Sequence, residues 1–175
     1  WVCDAANDAS NGRAIEVRLI VSMNRHEGAS NAEAVLDAAL AYRDRGVVAL
    51  DLAGNENGYP VEPFRMVFRR AKREGLFITA HAGEWAGAES VRDALEVLDA
   101  DRIGHGIRIL EDPALVAEVA RRGTPLEVCP TSNVDSGICA HLREHPLPIL
   151  VNHGLNVTLN TDDPLISNIS LTDQL

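Results

Sequence analysis

The chain has 175 residues, 46% of them hydrophobic and 24% charged, with a formal net charge of −10. That is enough for one domain with a sizeable core, in the proportions of a soluble globular protein. The acidic balance argues against a nucleic-acid partner, which needs a basic surface to displace counterions, and it offers no attraction to anionic lipid. No stretch has the apolar length of a bilayer span, so no membrane association is expected. Cys3, Cys129 and Cys139 are odd in number and widely spaced. They argue against a disulfide framework and for a reducing, cytoplasmic setting.

Along the chain, short apolar runs alternate with amphipathic ones. "RLIVSMNR" (18–25) reads as a strand covered on both faces. Ser30 and Glu33 then predict a capping box for a helix through "AEAVLDAALAYRDRG", with Gly46 as its C-terminal cap. After a second strand, "VVALDLAG" (47–54), "PFRMVFRRAKREG" places Phe64, Val67, Phe68 and Ala71 on one helical face and ends at Gly75. "LFITAHAGE" (76–84) is the third strand, and "AESVRDALEVLDA" turns Val91, Ala94, Leu95 and Leu98 to one side. "RIGHGI" (102–107) follows. "EDPALVAEVARRG" then has Asp112 as cap, Pro113 as first helical residue and Gly123 as stop. "LEVCPTS" (126–132) is the fifth strand, "HPLPILVNHG" a short helix ending at Gly154, and "NVTLNTDD" (156–163) the sixth strand. With no linker-like stretch, residues 1–175 read as a single domain.

Alternation of this kind implies parallel strands joined by right-handed crossovers. Two architectures fit: an open doubly wound α/β sheet, or part of a TIM-type (β/α)8 barrel. A complete barrel takes about 250 residues, so six units are too few to close one. The chain begins at Trp1 and stops in mid-pattern at "LTDQL", which reads as a piece of a longer barrel.

Nearly every strand ends in polar or small residues: Asp51 and Gly54, His81 and Glu84, His105 between Gly104 and Gly106, Ser132 and Asn133, Asp162 and Asp163. In a parallel α/β fold these ends lie on one side, where loops build the active site. The set holds a His and an Asp able to bind a metal, and a Glu and a second His able to transfer protons. Singly, each has an ordinary reading: a packed histidine, a carboxylate capping the next helix, an Asp-Asp-Pro turn. Their coincidence on one rim favours a site. His141, His145 and His153 read as surface or capping groups, His26 as a residue near the rim, Trp85 as a shield or packing group, and Cys129 as inert core.

Together "DLAGNE", "HAGE", "RIGHG", "LEVCPTSN" and "LNTDDP" resemble the adenosine deaminase family of metal-dependent hydrolases, from about Ile15 onward. The resemblance implies a (β/α)8 barrel. It implies that His81 and Asp162 bind one Zn2+ and that Glu84 protonates the purine ring nitrogen next to the attacked carbon. It implies that His105 orients or deprotonates the zinc-bound water. Asp163 would bond the imidazole-ring nitrogen of the purine, the Gly54 N–H would contact the remaining pyrimidine-ring nitrogen, and Asp51 would partner a metal ligand from behind. Substrate would be adenosine, with water as co-substrate and inosine and ammonia as products. Adenine deaminase and related purine deaminases share much of the pattern, and a non-catalytic purine-binding protein is the alternative from another class.

Two departures stand out. The family takes two further zinc ligands from a His-x-His at the end of its first strand, and this chain has none. "RLIVSMNR" resembles the third barrel strand, so the first two strands and those ligands are expected upstream. Alone, the 175 residues are expected to be inactive and prone to associate through unpaired strand edges. The second departure is Asn55, where an acidic residue is common.

Overall fold

The computed structural model describes residues 1–174. It contains six strands: β1 (Leu19–Asn24), β2 (Val47–Ala53), β3 (Phe77–Ala82), β4 (Arg102–His105), β5 (Leu126–Val128) and β6 (Val157–Leu159). All pair in parallel, and the order in the sheet is the order in the chain, β1 to β6. This decides between the two architectures. A doubly wound sheet reverses its strand order at a switch point, whereas an unbroken progression is the winding of a (β/α) barrel, here six strands of one.

The helices are α1 (Val2–Ser10), α2 (Ala29–Ala41), α3 (Arg65–Arg73), α4 (Ala88–Val97), α5 (Pro113–Arg122), α6 (Pro130–Asp135) and α7 (Leu147–Asn152). Phe64, Val67, Phe68 and Ala71 from α3 and the turn before it are buried, as are Val91, Ala94, Leu95 and Leu98 around α4. They join Leu50, Leu52, Ile78, Ile103 and Leu126 of the sheet in one core. At α5, Asp112 accepts from the N–H groups of Ala114 and Leu115, Pro113 opens the helix, and Gly123 closes it in the left-handed region, as the spacing predicts.

Several details differ from the sequence expectation. Gly28, not Ser30, is the N-cap of α2, and no side chain caps that helix. Glu33, expected to close a capping box, instead pairs with Arg70 on α3 at 3.0 Å. Helix α2 ends at Ala41, and Gly46 (φ 103°) terminates a separate 3₁₀ turn, Arg43–Arg45. Strand β5 stops at Val128, because Pro130 has no N–H for a ladder and sits at the first position of α6. Strand β6 stops at Leu159, shortly before Asp162 turns the chain with φ 60°. Helix α1, which carries no strong sequence signal, buries Cys3 and Ala6.

Candidate active site

The site is assembled at the C-terminal ends of the strands. In-register pairing sets Ser22 beside Asp51, Asp51 beside Thr79, and His81 beside Gly104. A Cβ at Gly104 would lie 3.3 Å from the Cα, Cγ and Nδ1 of His81, so the glycine leaves the imidazole room to stand on the sheet. Asp51 is buried; its Oδ1 lies 3.0 Å from His81 Nδ1, and its Oδ2 accepts from the Ser22 hydroxyl at 2.8 Å. The carboxylate holds a proton on His81 Nδ1, so that Nε2 is the nitrogen left to meet a metal, the usual arrangement behind a metal-ligating histidine. Burial alone would lower the His81 pKa. The hydrogen bond and charge of Asp51, with Asp162 and Glu84, outweigh it and raise the value to about 9.

Beyond β3 the chain makes a tight turn that carries Glu84. Its shape is held by Glu56, whose buried carboxylate accepts from the backbone N–H groups of Gly83 at 2.7 Å, Glu84 at 2.9 Å and Trp85 at 2.8 Å. The Glu84 carboxyl is buried, and its Oε2 is 3.5 Å from His105 Nε2. Burial, reinforced by the charges of Asp162 and Glu56 and opposed by His81, raises the Glu84 pKa to about 7. It is therefore poised to hold a proton near neutral pH.

His105 is almost wholly buried and adopts φ 62°, and Asp162 adopts φ 60°. Two non-glycine residues in the left-handed region, both on the rim, mark strain held by the surrounding structure. His105 Nε2 lies 3.9 Å from Asp162 Oδ2, which also accepts from the Ser132 hydroxyl at 2.6 Å. Burial and the neighbouring charge of His81 push the His105 pKa down to about 4. Ligand atoms of His81, His105 and Asp162 all lie within 4.8 Å of one another, so a divalent ion such as zinc held by His81 and Asp162 would sit beside His105. These three residues border an open cleft of about 360 Å³ with Gly104, Asn160 and Leu171.

Other candidates fall at varying distances from this centre. Gly54 (φ 96°) ends β2 against the Asn24 side chain. Asp163 is exposed, and its Oδ1 accepts from the Leu165 and Ile166 N–H groups in an Asx turn. Its carboxylate is thus occupied by the turn, and it meets Asp162 as its chain neighbour. Asn55 makes a local bond to the Asn57 N–H. His26 packs edge-on against Tyr59, with ring centroids 4.3 Å apart. Cys129 is buried, and burial together with the Asp162 charge pushes its thiol up to about 12. His145 is the correction. Read from sequence as a surface or capping group, it does accept the Leu147 N–H, yet it is buried and bonds Asn133, which in turn bonds His105. Glu56 also went unassigned; its only sequence signal is its place at the end of "DLAGNE".

Comparison with known proteins gives the same answer. A sequence model of the adenosine deaminase family matches residues 1–175, including the fourteen before the start of the motif resemblance. An adenosine deaminase of Erwinia tasmaniensis is 48% identical over 157 residues, covering 90% of this chain and 47% of that protein. The crystal structure of an adenine deaminase from Arthrobacter aurescens superposes with a TM-score of 0.92 at 35% identity, over 98% of this chain and 52% of that one. An amidohydrolase from Burkholderia ambifaria, solved with bound Zn, gives a TM-score of 0.85 at 31% identity, over 97% and 48%. The chain thus spans about half the length of the relatives it matches. With the strand order, the rim and a match over its whole length in agreement, this chain belongs to the adenosine deaminase family.

Proposed function

We propose that the protein containing this chain hydrolyses adenosine to inosine and ammonia. The observation that carries the reading is the buried Glu84 carboxyl, 3.5 Å from His105 Nε2 on the same rim as the His81, His105 and Asp162 cluster, where burial favours its protonated form. A pure binder has no use for a proton-transfer group poised in this way.

In the reaction, water oxygen adds to the purine carbon bearing the amino group, and the ring nitrogen beside that carbon takes a proton. One proton of the water replaces the one that Glu84 gave to the ring nitrogen; the other passes to the amino group as the C–N bond breaks, and ammonia leaves. Glu84 holds the proton that the ring nitrogen needs as negative charge builds on the ring. His105 borders the same space, with Nε2 turned towards Glu84 and Asp162. Asp163 bonds the imidazole-ring nitrogen of the substrate, and the Gly54 N–H contacts the remaining pyrimidine-ring nitrogen. His81 and Asp162 would hold a zinc ion, which would supply activation of water at neutral pH; the bound Zn of the Burkholderia amidohydrolase supports that choice of metal. Asp51 keeps His81 in the ligating tautomer. Two protein ligands are half of the four that the family resemblance implies, so these 175 residues alone are expected to bind metal weakly and not to turn over.

The second reading is deamination of the free base, favoured by the closeness of the fold to an adenine deaminase. The motif "CPTSN" leans towards the nucleoside. Ammonia release by the complete, zinc-loaded protein decides between them. A higher kcat/KM for adenosine than for adenine is expected, the reverse order selects the base, and no release from either overturns the reading.

A further inference from the structure

A chain of hydrogen bonds runs from the backbone into the rim, and its polarity is fixed at one end. The Leu147 N–H, at the start of α7, lies 3.0 Å from His145 Nδ1. A peptide N–H can only donate, so His145 Nδ1 is the acceptor and the neutral ring carries its proton on Nε2. That Nε2 is 3.1 Å from Asn133 Oδ1, donor to acceptor. The Asn133 amide is therefore oriented with Nδ2 towards His105 Nδ1, at 3.1 Å. An amide nitrogen offers hydrogens and no lone pair, so His105 Nδ1 must accept, and the proton of neutral His105 resides on Nε2. Turning the amide over would require His145 to be protonated on Nδ1, against the Leu147 N–H, two donors facing each other. Asn133, His105 and His145 are 0%, 1% and 5% exposed, which keeps bulk water from exchanging these roles.

We propose that Asn133 and His145 are positioning residues that lock His105 as its Nε2–H tautomer, so that His105 meets the attacking water as a hydrogen-bond donor and not as a proton acceptor. Two carboxyl groups near Nε2 suit a donor there: Asp162 Oδ2 lies 3.9 Å away, and Glu84 Oε2, at 3.5 Å, can accept whenever its proton is on the other oxygen or has been given up. The two imidazoles of the rim thus divide their work. His81 turns an N–H inward to Asp51 and offers Nε2 to a metal, which displaces the proton there; His105 turns its lone pair inward to Asn133 and presents an N–H. A ring that presents N–H cannot ligate a metal, so His105 is excluded from the coordination shell although its nitrogen lies among the converging atoms. The tautomer follows from geometry alone; its consequence for the attacking water rests on the hydrolase reading above.

The test is 15N NMR of histidine-labelled, zinc-loaded complete protein, which distinguishes protonated from unprotonated ring nitrogens directly. Protonated Nε2 and unprotonated Nδ1 at His105 are expected; protonated Nδ1 overturns the proposal. Asn133→Asp replaces the donor by an acceptor. It should move the His105 proton to Nδ1 and lower kcat about 10- to 100-fold, the usual range for a partner behind a functional side chain, with KM changed less. Wild-type shifts in that variant would overturn the proposal. His145→Gln, whose amide can still donate to Asn133, should keep the wild-type tautomer, whereas His145→Ala should lose it. If a variant fails to fold, the wild-type spectrum still decides. Protonated Nε2 in a protein that releases no ammonia from any purine would remove the proposed function and leave the tautomer assignment standing; ammonia release with protonated Nδ1 would do the opposite.

Discussion

His81 and His105 stand with ring centroids 5.2 Å apart, yet their surroundings pull them in opposite directions. Burial disfavours charge on both. At His81 the Asp51 carboxylate reverses the balance and raises the pKa to about 9; at His105 the charge of His81 adds to burial and lowers it to about 4. Without metal, His81 therefore keeps a second proton, on Nε2, throughout the neutral range. A metal must displace it, so zinc affinity is predicted to weaken as pH falls below about 9, by about tenfold per pH unit if one proton leaves per ion. Competition with a chromophoric chelator at a series of pH values reads the slope, and a flat profile would contradict the His81–Asp51 arrangement. At this scale the sequence was legible where a polar residue ends a strand: His81, Glu84, His105 and Asp162 all meet on the rim. Asn133 stood among those strand-end residues, but its bond to His105 is a matter of side-chain orientation that no motif encodes. His145 was missed because a histidine before Pro-Leu-Pro looks the same whether it faces solvent or the core.

Among the elements, the turn after β3 depends most on a single side chain. Three consecutive N–H groups, those of Gly83, Glu84 and Trp85, share the Glu56 carboxylate. Its charge is balanced in part by the buried Arg25, which donates to the Tyr59 and His81 carbonyls. Glu56→Gln turns one acceptor oxygen into a donor, leaving at least one buried N–H opposed. Stability is predicted to fall by about 1–3 kcal/mol, and kcat with it, because Glu84 rides on that turn. Denaturant melts and turnover of the same preparation check this, and a variant normal in both would show that the turn holds itself. Periodicity and punctuation sufficed for β1 to β4 and for α3 to α5, where glycine, proline and apolar spacing agree. They overran β5 and β6, since "CPTS" and "NTDD" continue a strand-like composition past the point where Pro130 and the left-handed Asp162 end the pairing.

Across the whole molecule, the decisive feature is an unbroken parallel order of six strands that carries every strand end to one side. The beat of strands and helices made parallel pairing legible in the sequence, but not the winding, because a doubly wound sheet has the same beat. Among the described residues, β1 pairs only with β2 and β6 only with β5. Trp1, Val2, Ile20 and Tyr42 lie exposed at or near β1, the kind of apolar edge that favours association. No described helix is long and apolar enough to cross a membrane. The central claim, that this rim performs proton-assisted hydrolysis and does more than bind a purine, is tested most directly by one comparison. Ammonia release from adenosine is measured for the complete protein and for its Glu84→Gln variant, with zinc content determined on the same samples. The account predicts full zinc in both and a kcat lower by about 10²- to 10⁴-fold in the variant, the range for loss of a general acid. Near-normal turnover with Gln at position 84, or loss of zinc in step with activity, would contradict it.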